Sequence, residues 1–183
     1  MLTDAEKHYL LAVARHALKD EVGGTTCPPP PPLRTPALER AAGAFVTLTR
    51  TGELRGCLGL LTSDLPLPET IEMMARRAAT EDPRFFPVSA AEVDGLTVEL
   101  SILSEFHKIA SPANITIGTD GLLIQYGAKR GLLLPQVAVK HHFSPEEFLE
   151  ETCLKAGLPR RAWKEPAAEL FSFTAEVVGE DAP

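Results

Sequence analysis

Cys57 carries the most chemistry of any residue in this chain, because it stands two positions from Arg55 inside the run Leu54, Arg55, Gly56, Cys57, Leu58, Gly59. On extended backbone, side chains two apart share a face and lie about 7 Å from one another. A guanidinium at that distance favours thiolate over thiol, and the thiolate is the nucleophile. Gly56 and Gly59 remove side chains that would obstruct a second backbone or a ligand. The competing reading is structural, with a small buried cysteine, glycines that permit tight sheet packing, and Arg55 in an ion pair. Residue types leave the two level.

Other polar residues fall into the same pattern. Glu99 and Ser101 alternate with Val98, Leu100 and Ile102, so one side of that strand is polar and the other apolar. Glu99 suits a general base or a carboxylate partner for Arg55, and its plain alternative is a solvated sheet face. Asp82 and Arg84 flank Pro83 in a turn where a carboxylate can accept backbone donors, and a wall beside Cys57 is the sharper reading of that turn. Gln136 follows Pro135 where a strand gives way to a helix, so it either points into a pocket or caps the helix. Lys129 and Arg130 read as a basic hairpin tip rather than an anion site. Cys153 belongs to an apolar helical stripe, and Trp163 reads as an anchor for the C-terminal part. The catalytic candidates are therefore Cys57 and Glu99, with Arg55, Gly56, Gly59, Asp82, Arg84, Ser101 and Gln136 as ligand-binding candidates.

Several chemistries have no residues to support them. The five histidines and three cysteines form no CxxC, HExxH or similar ligand set, so no metal site is expected. No GxGxxG, GxxxxGK or nucleophile-elbow pattern occurs, which argues against a dinucleotide enzyme, an ATPase or a serine hydrolase. Which cofactor, if any, the protein uses is unknown from its residues. A formal charge of −7 disfavours a general nucleic-acid binder. No apolar run approaches the roughly 18 residues that a spanning helix needs, and the charged N-terminal stretch is unlike a signal peptide. The odd, scattered cysteines Cys27, Cys57 and Cys153 then read as reduced thiols of a cytoplasmic protein.

The elements that must position these groups follow from spacing. Thr3 and Glu6 form a capping box ahead of Leu10, Leu11, Ala14, Ala17, Leu18 and Val22, a helical stripe stopped by Gly23 and Gly24. Five prolines at 28–32 predict a stiff extended strap. Residues 45–49 and 54–60 predict a hairpin turning at Thr51 and Gly52. A helix is expected over 68–80 and a short capped one after Ser89. A strand follows over 96–103, then short strands and turns over 115–134, a helix from Ser144 to a Gly157 cap, and a final strand carrying Phe171, Phe173, Ala175 and Val177. Helices and hairpin-linked strands without a βαβ rhythm predict an α+β fold of mainly antiparallel sheets with flanking helices.

Taken in order, these blocks resemble one family. LRGCLG at 54–59 is similar to the LRGCIG hallmark of the AMMECR domain family, with Leu58 at the isoleucine position. FVTL at 45–48, DPRF at 82–85, VELSIL at 98–103, GLLLPQVA at 131–138, FLEETCLKAGL at 148–158 and Trp163 match in sequence order. His141, His142 and Phe143 stand where related chains often place a tryptophan. The resemblance spans residues 5–178 and implies a single AMMECR-type domain over 1–183, divided into a larger and a smaller lobe with a cleft between them. It also implies a Memo-like or radical-SAM-like partner protein, since the family occurs beside or fused to such proteins. No biochemical activity is established for the family. Two functions stay open, a small-ligand or catalytic site around LRGCLG and a non-catalytic adaptor.

Overall fold

The structure, a computed structural model, describes residues 1–23 and 28–180. Cys27 and Gly24 lie outside them. In chain order the helices are α1 (Asp4–Glu21), α2 (Pro36–Glu39), α3 (Leu67–Thr80), α4 (Pro135–Lys140) and α5 (Pro145–Lys155). The strands are β1 (Ala44–Arg50), β2 (Glu53–Leu60), β3 (Thr97–Leu103), β4 (His107–Ile109), β5 (Gly121–Tyr126), β6 (Lys129–Leu133), β7 (Glu169–Phe173) and β8 (Ala175–Gly179). They form two four-stranded sheets, in the orders β2-β1-β3-β8 and β4-β7-β5-β6. The α+β class is the one expected. No helix among the described residues is long and apolar enough to cross a membrane.

The chain forms two compact units. One is built from residues up to 103 with the C-terminal segment from 176, the other from residues 104–175. In the first unit, α1 starts at the expected capping box. The Thr3 hydroxyl accepts from the Glu6 amide while the Glu6 carboxylate accepts from the Thr3 amide, reciprocal bonds that satisfy two orphan donors. Leu10, Ala14, Ala17 and Leu18 of α1 are buried with Ile71, Met74, Ala75 and Ala78 of α3. Both helices cover the sheet face that carries Ala44, Val46, Leu48, Val98, Leu100 and Ile102. Each fully buried leucine or isoleucine there contributes about 1.5–3 kcal/mol.

The prolines at 28–32 form neither helix nor strand and lead into the single turn α2, which the sequence reading did not anticipate. Its cap Thr35 also donates its hydroxyl to Glu6, tying the strap to α1. Thr51 and Gly52 both have positive φ, 49° and 83°, the pair of left-handed residues that a tight hairpin turn requires. The helix expected after Ser89 is shorter than anticipated. Glu92 caps Ser89 through its carboxylate, and only a 3-10 turn, Val93–Gly95, follows.

In the second unit, α5 packs on β5 and β6 around Leu122, Ile124, Phe148, Leu149 and Cys153, with Trp163 against the same core. Burial pushes the Cys153 thiol up. Lys129 Nζ donates to the Gly157 carbonyl at 2.8 Å, where α5 has ended. The final strand differs from expectation. It breaks at Thr174, so Phe171 and Phe173 belong to β7 while Val177 belongs to β8 in the other sheet. Ser104 pins the break, donating its amide to the Thr174 carbonyl and accepting the Thr174 amide on its hydroxyl. Side-chain alternation runs unbroken through this point, so periodicity could not reveal it.

Candidate functional site

The register of the first sheet decides which side chains can meet. Near the turn, Arg50 opposes Glu53 and Thr49 opposes Leu54. Beyond an irregularity, Leu48 opposes Gly56 and Thr47 opposes Cys57, leaving Arg55 without a partner. This extra residue is a β-bulge, which shifts the strand by one position. Cys57 is thereby set against Thr47, and Thr47 in turn opposes Glu99 on β3. The next row on the same face is Gly59, Phe45 and Ser101. Since Val46 and Leu48 face the helices, this second face is the one turned away from α1 and α3.

Cys57, Thr47 and Glu99 are half-buried, and Ser101 is buried. The Thr47 hydroxyl lies 3.4 Å from Cys57 Sγ and donates to it. Glu99 makes no ion pair or hydrogen bond among the described residues, and burial pushes its carboxyl above the usual range. Glu99 stands two strand spacings from Cys57, about 10 Å.

Asp82 and Arg84 close the free edge of β2 at Cys57. Asp82 Oδ2 accepts the Cys57 amide at 2.8 Å, while Arg84 Nη2 donates to the Cys57 carbonyl at 3.3 Å. The two side chains are clasped together through Nε–Oδ1 at 2.9 Å and Nη2–Oδ2 at 2.7 Å. These guanidinium bonds hold the Asp82 carboxyl far below the ordinary range, and the same pairing raises Arg84. The Asp82 side chain is 2% exposed and the Arg84 side chain 51%.

Arg55, placed by sequence on the thiol's face, is the unpaired bulge residue. Its Nε and Nη2 bind the Glu92 carboxylate at 3.1 and 3.3 Å, and Nη1 binds the Phe86 carbonyl at 2.9 Å. Arg55 holds the Glu92 carboxyl down to about 2. The structure thus places Arg84 at the cysteine's main chain and Arg55 on the 86–92 segment. Gly56 lies on the helix-covered face, where an added Cβ would stand 2.3 Å from the Ala78 carbonyl oxygen of α3. Gly59 lies under the Phe45 ring. Gln136 belongs to the second unit, exposed in the first turn of α4. Among the described residues, no group of three or more metal-ligating side chains comes together.

Thr47 is the site residue that sequence reading missed. Its pairing with Cys57 depends on the bulge, and counting back from the two-residue turn alone would set Cys57 against Val46.

Residues 11–178 match the AMMECR1 family model. The chain belongs to the AMMECR1 family. Among its relatives in that family, a protein of Thermofilum pendens is 38% identical over 198 residues, covering 100% of this chain and 93% of the relative. Protein TK0174 of Thermococcus kodakarensis is 40% identical over 192 residues, covering 100% of this chain and 94% of the relative. The crystal structure of the uncharacterized protein PH0010 from Pyrococcus horikoshii superposes with a TM-score of 0.91 at 38% identity, covering 100% of this chain and 95% of that one. Cys57, Thr47, Asp82, Arg84 and Glu99 all lie inside the span matched to AMMECR1.

Proposed function

We propose that the polar face of the first sheet, around the LRGCLG strand, binds a small molecule, with Cys57 as nucleophile and Glu99 as general acid or base. The observation that carries this reading is the row Cys57, Thr47, Glu99 running straight across three strands. Thr47 donates its hydroxyl to the sulfur, and Cys57 is only half-buried. Proton transfer requires heavy atoms about 2.6–3.2 Å apart, so Glu99 is too distant to take the thiol's own proton. Its carboxyl instead meets the far end of a molecule bound over Thr47, or a water held there. The lack of an ion pair at Glu99 among the described residues and its raised affinity for a proton suit that role.

Alkylation of the folded chain with iodoacetamide near neutral pH, followed by peptide mapping, tests the nucleophile. Cys57 is expected to react at least about 100-fold faster than the buried Cys153. Thr47→Val is expected to slow Cys57 severalfold. Labelling confined to Cys27 overturns the reading.

A second reading, a binding module for a partner protein, draws on Phe86, which is 89% exposed. The backbone around it is held by Arg55 on the Phe86 and Pro87 carbonyls and by the Val88 amide on Ala79. A fixed, exposed aromatic is the usual chemistry of an interface anchor. The Memo-like or radical-SAM-like proteins expected from the family are the partners to try. Co-purification that survives Cys57→Ser and is lost with Phe86→Ala favours this reading over the first.

A further inference from the structure

Resting on the reading of Cys57 as a reactive ligand site, we infer that this site takes an electrophile bearing a carboxylate, seated on the Nη1 edge of the Arg84 guanidinium. The inference comes from counting donors. A guanidinium has five N–H groups in a planar fork. In Arg84, Nε donates to Asp82, and Nη2 donates to Asp82 and to the Cys57 carbonyl. The two N–H groups of Nη1 meet no acceptor among the described residues.

Three contacts keep the fork in place. Asp82 grips it from the buried side, the Cys57 carbonyl holds it at the residue that carries the thiol, and the Phe85 ring lies 5.4 Å from its centre. The unused edge therefore belongs to a half-exposed side chain that these contacts fix before any ligand arrives. Preorganised arginine edges favour carboxylate oxygens over neutral amides, because the charged acceptor makes the stronger bond.

Asp82 does not cancel this preference at contact. Its two oxygens already take the Cys57 amide and three groups of Arg84, and the carboxylate is sealed from solvent. From a distance the pair is nearly neutral, so the selection acts at contact range rather than by long-range steering.

The probes are iodoacetate and iodoacetamide, which differ only in a carboxylate against a neutral amide. Second-order rates for Cys57 are measured with each on the folded chain, and again on the urea-unfolded chain as the intrinsic reference. The iodoacetate-to-iodoacetamide ratio is expected to rise about tenfold on folding, comparable to one hydrogen bond to a charged group. Arg84→Gln is expected to return that ratio to the unfolded value. A structural effect of the substitution would move both reagents together and leave the ratio alone. If Cys57 ignores both reagents when folded, the nucleophile reading itself fails. If it reacts with iodoacetamide but the ratio does not rise, the site stands and the carboxylate inference is overturned. A raised ratio that survives Arg84→Gln overturns it too. A wild-type ratio that does not rise overturns the inference whether or not the variant folds.

Discussion

Replacing Asp82 with asparagine removes one charge and converts one acceptor into a donor, at a position almost sealed from solvent. The carboxylate accepts four bonds, from the Cys57 amide at 2.8 Å, the Arg84 amide at 3.1 Å, Arg84 Nε at 2.9 Å and Nη2 at 2.7 Å. Asparagine can keep its oxygen on only one side of this arrangement. With the amide nitrogen at the Oδ2 position, the Cys57 amide and Nη2 both face a donor. In the flipped orientation, the Arg84 amide and Nε do. A sheltered donor left without an acceptor costs about 1–3 kcal/mol. The stranded guanidinium is half-exposed, so solvent limits its share to about 0–1 kcal/mol. The sum is about 1–4 kcal/mol, and for a chain of this size each kcal/mol lowers Tm by about 2–4 °C.

Thermal unfolding by circular dichroism is therefore expected to show a Tm lower by roughly 2–16 °C. Hydrogen exchange at the Cys57 amide should quicken in parallel. The depressed folded-state pKa of Asp82 fixes the pH dependence. Its contribution is fully present above the unfolded aspartate pKa and is lost as pH falls through the depressed value. Wild type and Asp82→Asn should accordingly converge in strong acid. Equal Tm values at neutral pH, with unchanged exchange at Cys57, would refute the claim that this carboxylate holds the edge of β2.

Glu99 works in the opposite sense. Its folded-state pKa is raised by burial, so its contribution is present below the unfolded glutamate pKa and is lost as pH rises through the folded value; Glu99→Gln should gain on wild type over that window in denaturant titrations, and a difference independent of pH counts against an unpaired, desolvated carboxyl. Gly56→Ala puts a Cβ 2.3 Å from the Ala78 carbonyl oxygen, and backbone cannot rotate aside, so a loss of about 1–3 kcal/mol is expected in urea unfolding. A neutral outcome would mean that α3 does not approach β2 as closely as described.

Much of the fold is legible in the residues, because several elements announce themselves locally. Thr3 with Glu6, Ser144 with Glu147, and Thr51 with Gly52 are short-range signals, and each marks a real boundary. The polar alternation of Glu99 and Ser101 likewise names the face they occupy. What stays hidden is register. Whether Cys57 looks toward the helices or away from them depends on a single residue, Arg55, that drops out of the pairing. No local pattern marks the bulge, because it is sustained by distant partners, with Glu92 drawing the Arg55 side chain away and Asp82 taking the Cys57 amide. The guanidinium at the cysteine is hidden for the same reason. Arg55 is near in sequence and Arg84 is far, yet the DPR turn brings the far one to the Cys57 carbonyl.

The return of the chain to its first sheet has a consequence for biosynthesis. Val178 joins the core of the first unit, Glu180 binds Arg15 and the Val98 amide, and Glu176 accepts the Leu2 amide. All three leave the ribosome after residues 104–175. Residues 104–175, by contrast, are continuous in the chain. The nascent protein should therefore finish the continuous unit before the one begun earlier, and a ribosome stalled before β8 is made would hold β3 with its outer edge still unmated.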